Sequence, residues 1–153
     1  MIQKIISGGQ TGVDRAALDI ALDLGVPCGS YCTKGRRAED GWISERYPLT
    51  ELSSPHYRER TKRNVIESDA TVIVTHGDLT GGSEATAGLC RYHSKPYLHL
   101  DGEEIDPDTA ANWLRQFAKN YHVMVLNVAG QRHSNSPQAY TTTRQILWRL
   151  LTT

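Results

Sequence analysis

The chain has 153 residues, the length of one domain, and 39% of them are hydrophobic, enough for an independent core. Its 17 basic and 17 acidic side chains cancel, which excludes a generalised attraction to nucleic acid or to an anionic membrane and leaves any basic surface local. No apolar run nears the roughly 18 residues of a membrane span. The three cysteines, Cys28, Cys32 and Cys90, are too few and odd in number for a disulfide scaffold, so the expectation is a cytoplasmic protein without nucleic-acid or membrane partners.

Ile2 to Ser7 is a short run of strand-forming residues that stops at Gly8-Gly9-Gln10-Thr11-Gly12, a loop. Ala16, Ala17, Leu18, Ile20, Ala21, Leu22 and Leu24 then recur at helical spacing up to Gly25, with Pro27 preventing continuation. A second extended segment, about 27–32, leads into Thr33 to Gly41, which lacks periodicity and reads as a functional loop. His56 to Ser68 is helical and is the most basic element, carrying Arg58, Arg60, Lys62 and Arg63. Ala70 to Thr75 is a continuous β-branched run, the mark of a strand buried on both faces, and it ends at Thr80-Gly81-Gly82 before a helix over Ser83 to His93. Tyr97 to Leu100 is another strand, and Asp106-Pro107 opens a helix reaching Asn120. Val123 to Val128 is the last strand, followed by a loop through Gly130 and Arg132 and a terminal helix striped with Ile146, Leu147, Leu150 and Leu151.

Strands alternating with helices at this spacing call for a single doubly wound α/β domain over residues 1–153, with a mainly parallel sheet covered by helices on both faces. Five strands are expected, beginning near Ile2, Pro27, Ala70, Pro96 and Val123, in flavodoxin-like order with the first strand central. Every strand-to-helix loop of such a sheet lies at one edge, where ligands bind. The terminal stripe and three tryptophans make a homo-oligomer a further expectation.

The loop Gly9-Gln10-Thr11-Gly12 has the glycines of a tight turn without the dinucleotide fingerprint or a Walker motif. Its glycines would let backbone N–H groups approach an anion at a helix N-terminus, and would equally permit close strand-helix packing. Gly81-Gly82-Ser83 repeats the arrangement, with Glu84 in the first turn of its helix, as Asp14 is in the first turn of the other. Where a classical NAD site places an acid after the second strand, this chain has Lys34, Arg36 and Arg37, whose charge suits phosphate. The spacing of Cys28, Cys32, Cys90 and His93 does not make a zinc site.

Four segments together, Gly8-Gly9-Gln10-Thr11-Gly12-Val13-Asp14-Arg15, Lys34 to Gly41, Thr80-Gly81-Gly82-Ser83-Glu84 and Asn127-Val128-Ala129-Gly130, resemble a bacterial family of molybdenum carrier proteins. The resemblance implies a Rossmann-like fold of the superfamily that includes the Lonely Guy phosphoribohydrolases. It implies a small phosphorylated ligand, molybdenum cofactor or nucleotide, held by Gly9, Gln10, Thr11, Gly12, Asp14, Lys34, Arg36, Arg37, Gly81, Gly82, Ser83, Gly130 and Arg132. The phosphoribohydrolases pair a helix arginine with a glutamate in the next glycine loop. Arg60 matches the arginine, but Gly88 stands in the glutamate's place. The alternative is therefore an N-glycosidase using Arg60 and Glu84, with Asp14 or Asp40 assisting.

Overall fold

Six strands, all parallel, form the main sheet of the computed structural model, which describes residues 1–152. In chain order the elements are β1 (Lys4–Ile6), α1 (Val13–Leu24), β2 (Cys28–Cys32), β3 (Arg37–Ala38), β4 (Gly41–Trp42), β5 (Leu49–Glu51), α2 (Tyr57–Glu67), β6 (Ala70–Thr75), α3 (Gly81–Tyr92), β7 (Tyr97–Asp101), α4 (Pro107–Asn120), β8 (Val125–Gly130) and α5 (Ala139–Thr152). The terminators act as their chemistry requires. Gly25 takes the left-handed conformation that closes α1, and Asp106 caps α4 by accepting from the Thr109 N–H at 2.7 Å.

The strand order is β5-β2-β1-β8-β6-β7, which corrects the expectation in two ways. First, the sheet has six strands, not five. The extra one, β5, lies in the stretch after the loop and pairs with β2 through Ser30 and Leu49, while Arg37–Ala38 and Gly41–Trp42 of that loop form a small antiparallel hairpin. A three-residue strand carries too few side chains for a period of two to be visible. Second, β8 is inserted between β1 and β6, so the order is not flavodoxin-like. The interior position expected for β1 holds. Counted from β8 as first, with β1 and β2 next and β6 and β7 after, the order is 3-2-1-4-5, that of a Rossmann sheet, with β5 as an added edge.

Right-handed crossovers place α1 and α4 on one face and α2 and α3 on the other, since the first pair connects strands leftward along the sheet and the second rightward, and the terminal α5 packs beside α1 and α4. The main core fills the first face, where Ile5, Val72, Val74, Leu114, Leu126, Ile146 and Leu147 are buried together. Leu150 and Leu151 of the terminal stripe pack on the same core, whereas all three tryptophans, Trp42, Trp113 and Trp148, are at least half exposed. The second face is thinner: α2 contributes only Val65 to an apolar cluster with Leu89 and Cys90. Among the described residues, no helix is long and apolar enough to cross a membrane.

Candidate functional site

The inner face of α2 is polar where an ordinary surface helix would be apolar. Arg60 and Asn64, one turn apart, are both buried. Asn64 fastens the helix to β2, its Oδ1 accepting from Ser30 Oγ at 2.5 Å and from the Tyr31 N–H at 3.3 Å. This anchorage puts Arg60 over the end of β1. An added Cβ at Gly8 would lie 2.5 Å from Arg60 Nε, so the glycine leaves the space that the guanidinium fills. The guanidinium also stacks on Tyr57, with its carbon 5.1 Å from the ring centroid.

Arg60 borders a cavity of about 300 Å³, the lower end of the small-molecule range, between α2 and α3 and above the C-terminal ends of β1 and β8. This is the crevice at the switch point of a Rossmann sheet. Its wall includes Gln10 from the first loop, Asp14 in the first turn of α1, Asn127 and Gly130 from β8, Arg132 beyond it, and Gly82 at the start of α3. Asn127 is a polar residue within a buried strand, 2% exposed and donating to Thr71 Oγ1 at 3.2 Å. That breach of an apolar run was the available signal for a residue the sequence reading did not single out, as it also passed over Tyr57 and Asn135 on the cavity wall.

Two ionisable groups in this wall are desolvated and do not satisfy each other. Burial pushes the Asp14 carboxyl above its ordinary range, with Arg60 and the Gln10 N–H opposing the shift. Arg60 is 9% exposed, and its Nη1 is buried without a hydrogen-bond partner. No ion pair within 4.0 Å joins the two. A buried guanidinium with an open donor is costly unless a group arrives to accept from it.

The structure gathers Gln10, Asp14, Arg60, Gly82, Gly130 and Arg132 at this cavity. The other expected residues lie elsewhere. Gly12 is sealed beneath the loop after β8, where the Val13 N–H donates to Gln131 O at 3.1 Å, so the start of α1 is closed by protein rather than open to an anion. Gly9 faces the side chains of Leu49 and Ile43. Thr11 borders a separate surface cavity with Glu39, Ser134 and Tyr140, in which Glu39 accepts from Thr11 Oγ1 and from Ser134 Oγ. By contrast, Gly81 and Gly82 are exposed at the start of α3, and an added Cβ would meet nothing within 4 Å at either. The Ser83 hydroxyl, donating to Thr80 O at 2.7 Å and accepting from the Thr80 N–H, holds that helix start instead of facing the cavity.

The basic triplet is also outside. Lys34 and Arg37 are exposed, and Arg36 reaches four backbone carbonyls, Ile43 at 2.9 Å, Ser44 at 2.7 Å, Tyr47 at 3.1 Å and Leu49 at 3.1 Å. Arg36 thus ties the hairpin segment to β5, and Arg36→Met should lower stability by about 2–4 kcal/mol, the range for losing charge-assisted bonds to part-buried carbonyls. Ligand affinity should change less than twofold. Thermal denaturation together with a ligand titration checks both halves, and a large loss of affinity in a folded variant would return Arg36 to the site.

Glu84 does not meet Arg60. It is an exposed residue paired with Arg91 Nη2 at 2.8 Å, nearly two turns further along the outside of α3. Gly88, nearly bare of neighbours, lines an outer furrow rather than this cavity. Among the described residues no cluster of three or more histidine, cysteine, aspartate or glutamate side chains could hold a metal ion.

Comparison with known proteins agrees with this architecture. No curated protein matches the chain. A crystal structure from Syntrophus aciditrophicus SB, named "Putative molybdenum carrier protein", superposes with a TM-score of 0.96 at 43% identity, covering 98% of this chain and 95% of that one. The family described as "Circularly permutated YpsA SLOG family" matches residues 5–151, nearly the whole chain. A permuted origin accounts for a Rossmann order that becomes regular only when counted from β8. The chain belongs to the circularly permutated YpsA SLOG family.

Proposed function

We propose that the protein binds a small phosphorylated heterocycle, a molybdenum cofactor or a nucleotide, in the cavity between α2 and α3, and does so as a carrier rather than as an enzyme. One observation supports this above the rest: Arg60, whose Nη1 is buried without a partner, lines the cavity. The neighbour named as a molybdenum carrier adds a loose indication of the same kind. The phosphate would sit at the mouth, where Gly82 at the N-terminus of α3 meets the cations Arg58 and Arg132. The heterocycle would lie deeper, against Asp14, Arg60 and Asn127. Catalysis by Arg60 and Glu84 is not favoured, because a carboxylate must stand next to the departing sugar and Glu84 points out to Arg91.

The test is a calorimetric titration of molybdenum cofactor and nucleoside monophosphates, each beside its dephosphorylated counterpart, with chromatography of the mixtures after incubation. The phosphorylated member of the preferred pair should bind at least tenfold more tightly, with no free base released. Failure of every phosphorylated compound to bind would sink the reading, and steady release of base would make the protein a hydrolase.

A further inference from the structure

Resting on that reading, we infer that the cavity selects the 2-amino-4-oxopyrimidine edge shared by guanine and pterins, with Arg60 and Asp14 as the specificity-determining pair. The inference follows from which hydrogen-bonding groups in the wall are still open. Arg58 and Asn135 are exposed and Tyr57 and Arg132 half-buried, whereas most of the buried or part-buried polar groups are engaged within the protein: Asn64 to β2, Asn127 to Thr71 Oγ1, Thr61 Oγ1 to Tyr57 O, Thr86 Oγ1 to Gly82 O, the Gln131 amide to the backbone of His76, and Gln10 Oε1 to the N–H groups of Thr11 and Glu39. Arg60 Nη1 has no partner. The Asp14 carboxylate has a long contact of 3.4 Å from the Gln10 N–H and lies beside the Ser7 hydroxyl, which donates to Val128 O at 2.6 Å.

The cavity wall therefore brings together the Arg60 guanidinium, a donor, and the Asp14 carboxylate, a two-oxygen acceptor, with no ion pair within 4.0 Å between them. The complementary edge reads acceptor, donor, donor in sequence. A ring carbonyl, the adjacent ring N–H and the exocyclic amino group of guanine or a pterin supply it, the last two donating in parallel to one carboxylate. Hypoxanthine lacks the second donor. Adenine sets its ring nitrogen, an acceptor, against the carboxylate and offers no carbonyl to Arg60, so it leaves both buried groups badly served. Sites built to pair with a polar edge discriminate strongly against analogues lacking it, because their own groups are stranded.

The experiment titrates guanosine, inosine and adenosine 5′-monophosphates and dihydroneopterin monophosphate into wild type and Asp14→Asn at one pH and ionic strength. In wild type, the guanine nucleotide or the pterin phosphate should bind at least tenfold more tightly than the inosine nucleotide, with adenosine weakest. Whichever of the first two is tighter identifies the source of the edge. In Asp14→Asn, which keeps the side chain's shape, the preference for guanine over hypoxanthine should shrink to about threefold or less, with the melting temperature confirming a folded protein. If the variant does not fold, the wild-type ranking decides alone. Adenosine binding as tightly as guanosine, or undiminished discrimination in Asp14→Asn, overturns the inference while the binding function stands. Absence of binding by any phosphorylated heterocycle overturns both.

Discussion

Alanine at Gly12 should cost the protein roughly 3–5 kcal/mol, of the size that only backbone strain and steric overlap together produce at a single methyl group. Gly12 has a φ of +78°, a conformation that disfavours a side chain, and an added Cβ would lie 2.4 Å from Gln131 O and 2.9 Å from the His133 N. Those atoms are backbone, and Gln131 O accepts the hydrogen bond that starts α1, so relief of the clash would open the seam between the first loop and the loop after β8. For a domain of this size the loss corresponds to a fall in Tm on the order of 10 °C. Gly25 provides the control. Its φ of +69° is similar, but nothing lies within 4 Å of an added Cβ, so Gly25→Ala should cost only about 1 kcal/mol. Differential scanning calorimetry on the two variants separates the conformational cost from the steric one. Equal losses would mean that the seam yields.

Replacing Arg60 by methionine should weaken binding of the preferred ligand by about 2–4 kcal/mol, because the variant removes the donor that the cavity holds open and leaves the ligand's accepting atom buried without one. Its effect on the free protein has a pH signature. Burial already raises the Asp14 carboxyl above its ordinary value, and the charges of Arg60 and, more weakly, Arg15 restrain that rise. A carboxyl whose folded-state pKa lies above its unfolded one contributes favourably at low pH, and that contribution is lost as the pH rises through the folded-state value. Without Arg60 the folded value climbs further, so the buried carboxylate destabilises Arg60→Met most at neutral pH. Acidification through the raised pKa should narrow the gap in Tm between variant and wild type. Titration calorimetry and melting curves at several pH values test both claims. Unchanged affinity would remove Arg60 from the ligand site, and a gap in Tm that widens on acidification would contradict the electrostatic account of Asp14.

The class of fold was legible along the chain because its signals are local. Ala70 to Thr75 is a continuous, mostly β-branched run of the kind buried on both faces in a parallel sheet, and Gly25 and Asp106-Pro107 mark helix ends by conformations and caps that need no distant partner. The glycine loops could be assigned to one sheet edge for the same reason. The insertion of β8 between β1 and β6 could not be read, since strand neighbours are chosen by pairing across more than a hundred residues, as Lys4 with Val125. Residue chemistry alone also left the uses of the arginines open. Arg36 and Arg60 are equally basic in sequence, yet one is enclosed by carbonyls of its own hairpin segment while the other is held by Gly8, Tyr57 and α2 over a cavity. Composition set the charge, but apolar periodicity did not set the side of α2 that faces inward, which carries Arg60 and Asn64. Only the closure of the sheet decided that Asp14, forty-six positions earlier in the chain, would share Arg60's desolvated space, because burial and its electrostatic cost belong to the packed molecule and not to any segment of it.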